Sequence, residues 1–142
     1  MIRPAVLSDL DRIVELGLEF AEKSQAVHIM KPSVEKIRNV AKVAITDPNA
    51  VVIVWQRKEV EGLILGVVNV SFFSFDLILM ELALYSRQPL AIPLLIKAFE
   101  KAAKEKKVSK IIMGSKPSFC DLGRIYNRCG YNLLEEHYIK AV

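Results

Sequence analysis

The chain alternates between two hydrophobic periods. Val51 to Trp55 is short and β-branched, Leu63 to Phe72 is longer, and Leu77 to Tyr85 is apolar throughout except at Glu81. Such runs predict strands, the last of them buried on both faces. Between them lie stretches with a helical repeat. Leu10, Ile13, Val14, Gly17, Phe20 and Ala21 form one stripe, with Ser8 as the expected N-cap and Asp9 and Asp11 in the first turn. Val34, Ile37, Val40, Ala41 and Ala44 form a second, capped by Ser33 and stopped by Asp47-Pro48-Asn49. Ala91, Leu94, Leu95, Ala98, Phe99 and Ala102 form a third, and Leu122, Ile125, Tyr126 and Cys129 a short fourth that closes on Gly130. In the fourth, Ile125 and Cys129 are expected to bury, with Tyr126 at the edge of the stripe. Ile2 to Ala5 and Ile111 to Met113 read as short strands, and Tyr131–Leu134 with His137–Val142 as a terminal hairpin. The predicted order is β-α-α-β-β-β-α-β-α-β-β, an α/β protein with one mixed sheet and helices on both faces.

Composition narrows the class. With 142 residues, 52% hydrophobic and 25% charged, the chain fits one domain, residues 1–142, with a core that needs neither disulfide nor metal. Cys120 and Cys129 suit no common metal motif, lie far from His28 and His137, and read as small packing residues. No apolar run is long enough to span a bilayer and no signal core opens the chain, so a cytoplasmic protein without a membrane partner is expected. The net charge is +4, with the excess in Lys97, Lys101, Lys104, Lys106, Lys107 and Lys110. No aromatics interleave with these lysines, so they read as the solvated face and C-terminal end of a helix and not as a nucleic-acid patch.

Four stretches resemble the GNAT (Gcn5-related) N-acetyltransferase superfamily. They are IRPAVLSDLDRIVELGLEF, the turn Glu59-Val60-Glu61-Gly62, ELALYSRQPLAIPLLIKAFEKAAKEKKVSKIIM, and LGRIYNRCGYNLLEEHYIK. The last is the most specific: Tyr126 precedes Cys129-Gly130-Tyr131 where the family has a tyrosine and then an apolar-Gly-Phe/Tyr triplet. The likeness, closest to small bacterial and bacteriophage members, implies the GNAT fold and acyl transfer from acetyl-CoA to a primary amine on a small molecule or protein.

The resemblance also implies roles. Tyr126 stands where the general acid would be, and Glu81 where a strand carboxylate acts as general base, directly or through water. Asn127 and Ser118 stand near the expected thiol, and His28 on the acceptor side. Arg87, Gln88, Leu90, Ala91 and Ile92 occupy the acyl-CoA loop, whose glycines let the backbone approach a diphosphate at a helix N-terminus. Here no glycine remains, and Pro89 and Pro93 cannot donate an N–H. Weak acetyl-CoA binding is therefore expected. The alternative reading is a GNAT fold without catalysis, serving as a structural or partner-binding module such as a bacteriophage virion or host-interaction protein. A protein partner or a homodimer fits either reading, and no metal is expected.

Overall fold

A computed structural model describes residues 1–24, 30–116 and 119–142. Five strands form one sheet in chain order: β1 (Ile2–Pro4), β2 (Ala50–Gln56), β3 (Val60–Val70), β4 (Leu77–Ser86) and β5 (Lys110–Ile112). The first four are antiparallel neighbours, and β5 joins β4 in parallel. The helices are α1 (Leu10–Lys23), α2 (Val34–Thr46), α3 (Ile92–Glu105) and α4 (Gly123–Arg128).

Two hydrophobic clusters lie on opposite faces of the sheet. On one face Ile13 and Leu16 of α1 and Ala41 and Ala44 of α2 pack against Val52, Val54, Leu63 and Leu65. On the other, Leu95, Ile96 and Phe99 of α3 and Leu122 and Tyr126 of α4 pack against Val51, Ile53, Ile64, Leu79 and Leu84. Strand β2 thus sends successive valines and isoleucines to alternate faces, as a period of two demands. The expected α3 stripe is borne out, with Phe99 fully buried.

Strand β4 carries an irregularity that matters for the site. Leu65 pairs with Ala83, but the next residue, Gly66, pairs with Glu81, so Leu82 is an extra residue on β4. This bulge flips the parity of the strand, which is why Leu79 and Leu84, five positions apart by number, join the same cluster. Counting back from the bulge puts Glu81 on that same face, with α3 and α4.

Local chemistry departs from expectation at both ends. Ser8 does not cap α1. A short 3-10 turn over Leu7–Asp9 precedes the helix, and the Asp9 carboxylate accepts the Val6 N–H at 2.9 Å while holding the Arg3 guanidinium at 2.7 and 2.8 Å. Ser33 caps α2 as expected, its hydroxyl oxygen accepting the Lys36 N–H at 3.2 Å. Gly130 ends α4 with φ +88°, the left-handed conformation for which glycine is the natural residue. Beyond it the expected terminal hairpin is not formed: Tyr131–Val142 contains no strand, and Leu133, Leu134, Tyr138 and Ile139 are exposed. The alternation of that segment is real, but it buries none of those four side chains, and burial is what makes alternation hold a strand. Both cysteines are exposed, which corrects their expected packing role. Among the described residues no helix is long and apolar enough to cross a membrane.

Candidate functional site

Strand β5 pairs with β4 only at Ile78, Leu79 and Met80. Past Met80 the two strands part, and the residues that flank the divergence are Glu81 on β4 and Gly114 after β5. The Gly114 peptide group is bound from both sides. Its N–H donates to Oε2 of Glu81 at 2.9 Å, and its carbonyl oxygen accepts the Tyr126 hydroxyl at 2.7 Å. The approach is close: a Cβ on residue 114 would sit 3.2 Å from Oε2 of Glu81 and would press on the carboxylate. The two residues expected to serve as base and acid, far apart in sequence, are thus joined through one peptide unit.

The environment shifts both groups upward. Burial raises the Glu81 carboxyl above the ordinary carboxylate range, against the Gly114 N–H and the nearby Lys116 charge, which pull it down. Burial, reinforced by the Glu81 charge and by Tyr131, raises the Tyr126 phenol above its ordinary value. Glu81 is therefore a carboxylate that holds a proton more readily than usual, and Tyr126 a phenol that stays protonated. The position of Tyr126 on its helix differs from expectation. Tyr126 faces inward, 7% exposed, with its ring 5.6 Å from Tyr131, whereas Cys129 is exposed. With six residues, α4 shows too little of a helical period for its inward face to be legible from sequence. Lys116 stacks on Phe20 at 4.5 Å, and Ser115 accepts the Leu122 N–H at 3.2 Å, which ties the connection after β5 to the start of α4. Gly114, Ser115 and Lys116 have no counterpart in the sequence reading. The one available signal was a glycine directly after a short strand. Asn127 is exposed on α4, and Ser118 and His28 lie outside the described residues.

The connection from β4 to α3 is built differently from a diphosphate cradle. The Arg87 N–H donates to the Glu61 carbonyl at 2.9 Å, the Gln88 N–H to the Ser86 hydroxyl at 3.0 Å and the Ala91 N–H to the Gln88 carbonyl at 2.9 Å. The Ile92 N–H turns back to the Pro89 carbonyl, and Pro89 and Pro93 have no N–H. Among the described residues this leaves Leu90 as the one backbone donor between 87 and 93 without a partner, below a side chain that is itself exposed.

The Arg87 side chain is also committed. Its Nε lies 3.1 Å from both oxygens of Glu19, its Nη2 bonds to Glu19 and reaches Glu15 at 3.1 Å, and Glu59 is 3.7 Å from Nη1. Glu19 in turn accepts the Tyr85 hydroxyl at 2.9 Å, and Lys23 donates to that hydroxyl at 3.0 Å. The Arg87 guanidinium holds the Glu19 carboxyl below its usual range, and the carboxylates raise Arg87. This is an interlocked ion-pair network between α1 and the end of β4, with the arginine surrounded by anions. A diphosphate would have to displace carboxylates to reach it. The connection does not fit a diphosphate. No group of three or more metal-ligating side chains exists among the described residues.

No family model and no curated protein sequence matches this chain. Solved structures do. A ribosomal-protein-alanine N-acetyltransferase from Brucella melitensis biovar Abortus 2308 superposes with a TM-score of 0.73 at 14% identity, over 100% of this chain and 99% of that one. An acetyltransferase from Trypanosoma brucei gives 0.70 at 16% identity, again over 100% and 99% of the two chains. A transcriptional regulator from Bacillus halodurans C-125 gives 0.76 at 19% identity over the same shares. Likeness at such identities is likeness of fold. The chain has the mixed α/β fold of the GNAT acyltransferases, over the whole of its length.

Proposed function

We propose that this chain is an N-acyltransferase acting on a primary amine, with Glu81 as proton acceptor and Tyr126 as proton donor at the divergence of β4 and β5. The observation that carries the proposal is the convergence of both groups on Gly114. Acyl transfer from a thioester to an amine needs one proton removed from the nitrogen and one delivered to the departing sulfur. Glu81, with its raised affinity for a proton, can take the first at Oε1 or Oε2. Tyr126 can give the second from Oη if the hydroxyl turns from the Gly114 carbonyl. Among the described residues β4 has no strand partner on its β5 side past Met80, an edge that could pair with an extended amide-bearing chain.

Acetyl-CoA is the expected donor, and it supplies the activated acyl thioester when bound. Its two ends are served unequally. The open strand edge and the proton-handling pair of Glu81 and Tyr126 would hold the thioester end, whereas the connection after β4 would offer the diphosphate end only proline, mostly engaged N–H groups and a caged Arg87. Affinity then rests on the thioester end and is weak. The test is a transfer assay with acetyl-CoA and a panel of primary amines, comparing the native chain with Glu81→Gln and Tyr126→Phe. Turnover by the native chain that falls by about 10²–10⁴ in either variant supports the assignment. Turnover unchanged in both variants refutes it.

The engaged connection from Arg87 to Ile92 favours a second reading, in which the fold persists as a structural or partner-binding module, in a bacteriophage particle for example. Absence of turnover with every amine, together with no thermal shift by acetyl-CoA, would support that reading, since any ligand of the native state raises its melting temperature.

A further inference from the structure

The turn between β3 and β4 exposes Phe72, Phe73 and Phe75 at 93%, 92% and 99%. Single exposed apolar residues are ordinary, but three aromatic rings on one six-residue turn are not. The turn is ordered without any help from those rings. The Ser71 N–H donates to the Asp76 carbonyl at 2.8 Å, the Phe73 N–H to the Ser71 hydroxyl at 3.1 Å, and the Asp76 N–H to the Ser74 hydroxyl at 3.2 Å. The Ser74 hydroxyl donates to the Asp76 carboxylate at 2.9 Å. Phe72 and Phe73 meet edge to face, with centroids 5.1 Å apart. The serines and the aspartate thus hold three of the turn's N–H groups, while the three phenylalanines pack against nothing in the fold beyond one another.

Rings held out in this way suit a medium that takes up apolar side chains while the N–H and C=O groups of the tip stay at its wet, polar boundary. The charge around the base of the turn points to which medium. The Ser109 N–H donates to the Leu77 carbonyl at 3.0 Å, and Ile78 pairs with Lys110, so the corner where α3 gives way to β5 abuts the turn. That corner carries Lys104, Lys106, Lys107 and Lys110, with Glu105 and Asp76 as acids close by in sequence, and Lys106 is turned away to the Pro48 carbonyl, which leaves Lys107 and Lys110 as exposed cations near the turn. With all three rings almost fully exposed, the turn offers side chains that a fluid apolar phase can take up without a preformed pocket.

We propose that the Phe72-Phe73-Ser74-Phe75 tip is an interfacial anchor that inserts into the surface of an anionic lipid bilayer, with Lys107 and Lys110 on the phosphates. This is a protein lying on a membrane, not crossing one, and it is independent of the acyltransferase reading. The expectation of no membrane partner rested on the absence of a spanning run, which a tip of this size does not need.

The test is cosedimentation of the full chain with vesicles of phosphatidylcholine alone and of phosphatidylcholine mixed with phosphatidylserine, at low salt. The native chain binds the mixed vesicles, and binding falls as salt is raised. The Phe72→Ser/Phe73→Ser/Phe75→Ser variant loses at least about tenfold in binding, because apolar area is what holds an interfacial segment. Lys107→Glu/Lys110→Glu keeps the rings and loses the preference for anionic vesicles. Circular dichroism and the melting temperature check that both variants are folded, and neither should move, since these side chains support no core. Absence of binding to mixed vesicles overturns the proposal, as does binding that the serine variant retains. So does a native dimer that the serine variant converts to monomer without any vesicle binding, since the tip is then a protein contact.

Discussion

Glu81 is a half-buried carboxylate whose burial raises its affinity for a proton. Its folded-state affinity for protons is raised, so between the ordinary glutamate value, about 4.3, and its folded value the native state binds more protons than the unfolded one. Stability from this group is full at low pH and is lost as pH rises through that window. Glu81→Gln, which can still accept the Gly114 N–H, should abolish that part of the decline, and denaturant melts across pH measure it directly. Asp9 gives the opposite sign. Its carboxyl is lowered chiefly by the Arg3 hydrogen bond, so its contribution is present at neutral pH and is lost as pH falls below the ordinary aspartate range. Asp9→Asn should cost about 1.5–3 kcal/mol near neutrality, the scale of a charged hydrogen bond, and little in acid. Tyr126→Phe removes one O–H from a carbonyl that has no other partner among the described residues. It should cost about 1 kcal/mol of stability, a loss separable from any fall in turnover.

Elements show most clearly where sequence and structure agree and where they part. Strand β2 and helix α3 were legible because each buries a full period of its pattern against the sheet. Phe99 is the centre of the second, and Phe99→Ala should cost about 3–5 kcal/mol in a thermal or denaturant melt. Its fit depends on Gly66 in β3. A Cβ there would fall 2.4 Å from the Phe99 ring and 2.7 Å from the Met80 carbonyl, so Gly66→Ala should cost about 1–3 kcal/mol by overpacking. Gly66 sits at the β4 bulge, a feature of register between two strands that neither strand shows alone. The same limit hid the orientation of α4, too short to show a period, and exaggerated the terminal hairpin, whose alternation buries Tyr131 in part but none of Leu133, Leu134, Tyr138 and Ile139. Ser8 looked like a cap because serine commonly is one; Asp9 took the local donor instead, since it could also hold Arg3.

At the scale of the molecule, the fold was readable because the order of periods is long and few topologies accommodate it. The site was readable in part. Glu81 stood out as one acid in an apolar strand and Tyr126 by its distance from Gly130, but the peptide joining them, Gly114, belongs to no motif and appears only when β5 ends early. The connection after β4 was visibly poor in glycine. The engagement of all its backbone donors but that of Leu90, and the hold of Glu15, Glu19 and Glu59 on Arg87, arise only in three dimensions. The proposed acyltransferase would grip its donor at the thioester and not at the diphosphate. Titration calorimetry with acetyl-CoA and with S-acetylpantetheine, which lacks the nucleotide diphosphate, compares the two ends directly. Binding of both, weaker than about 1 μM and within about tenfold of each other, is the predicted result. Submicromolar binding of acetyl-CoA that S-acetylpantetheine does not approach, or no binding of either, would contradict it.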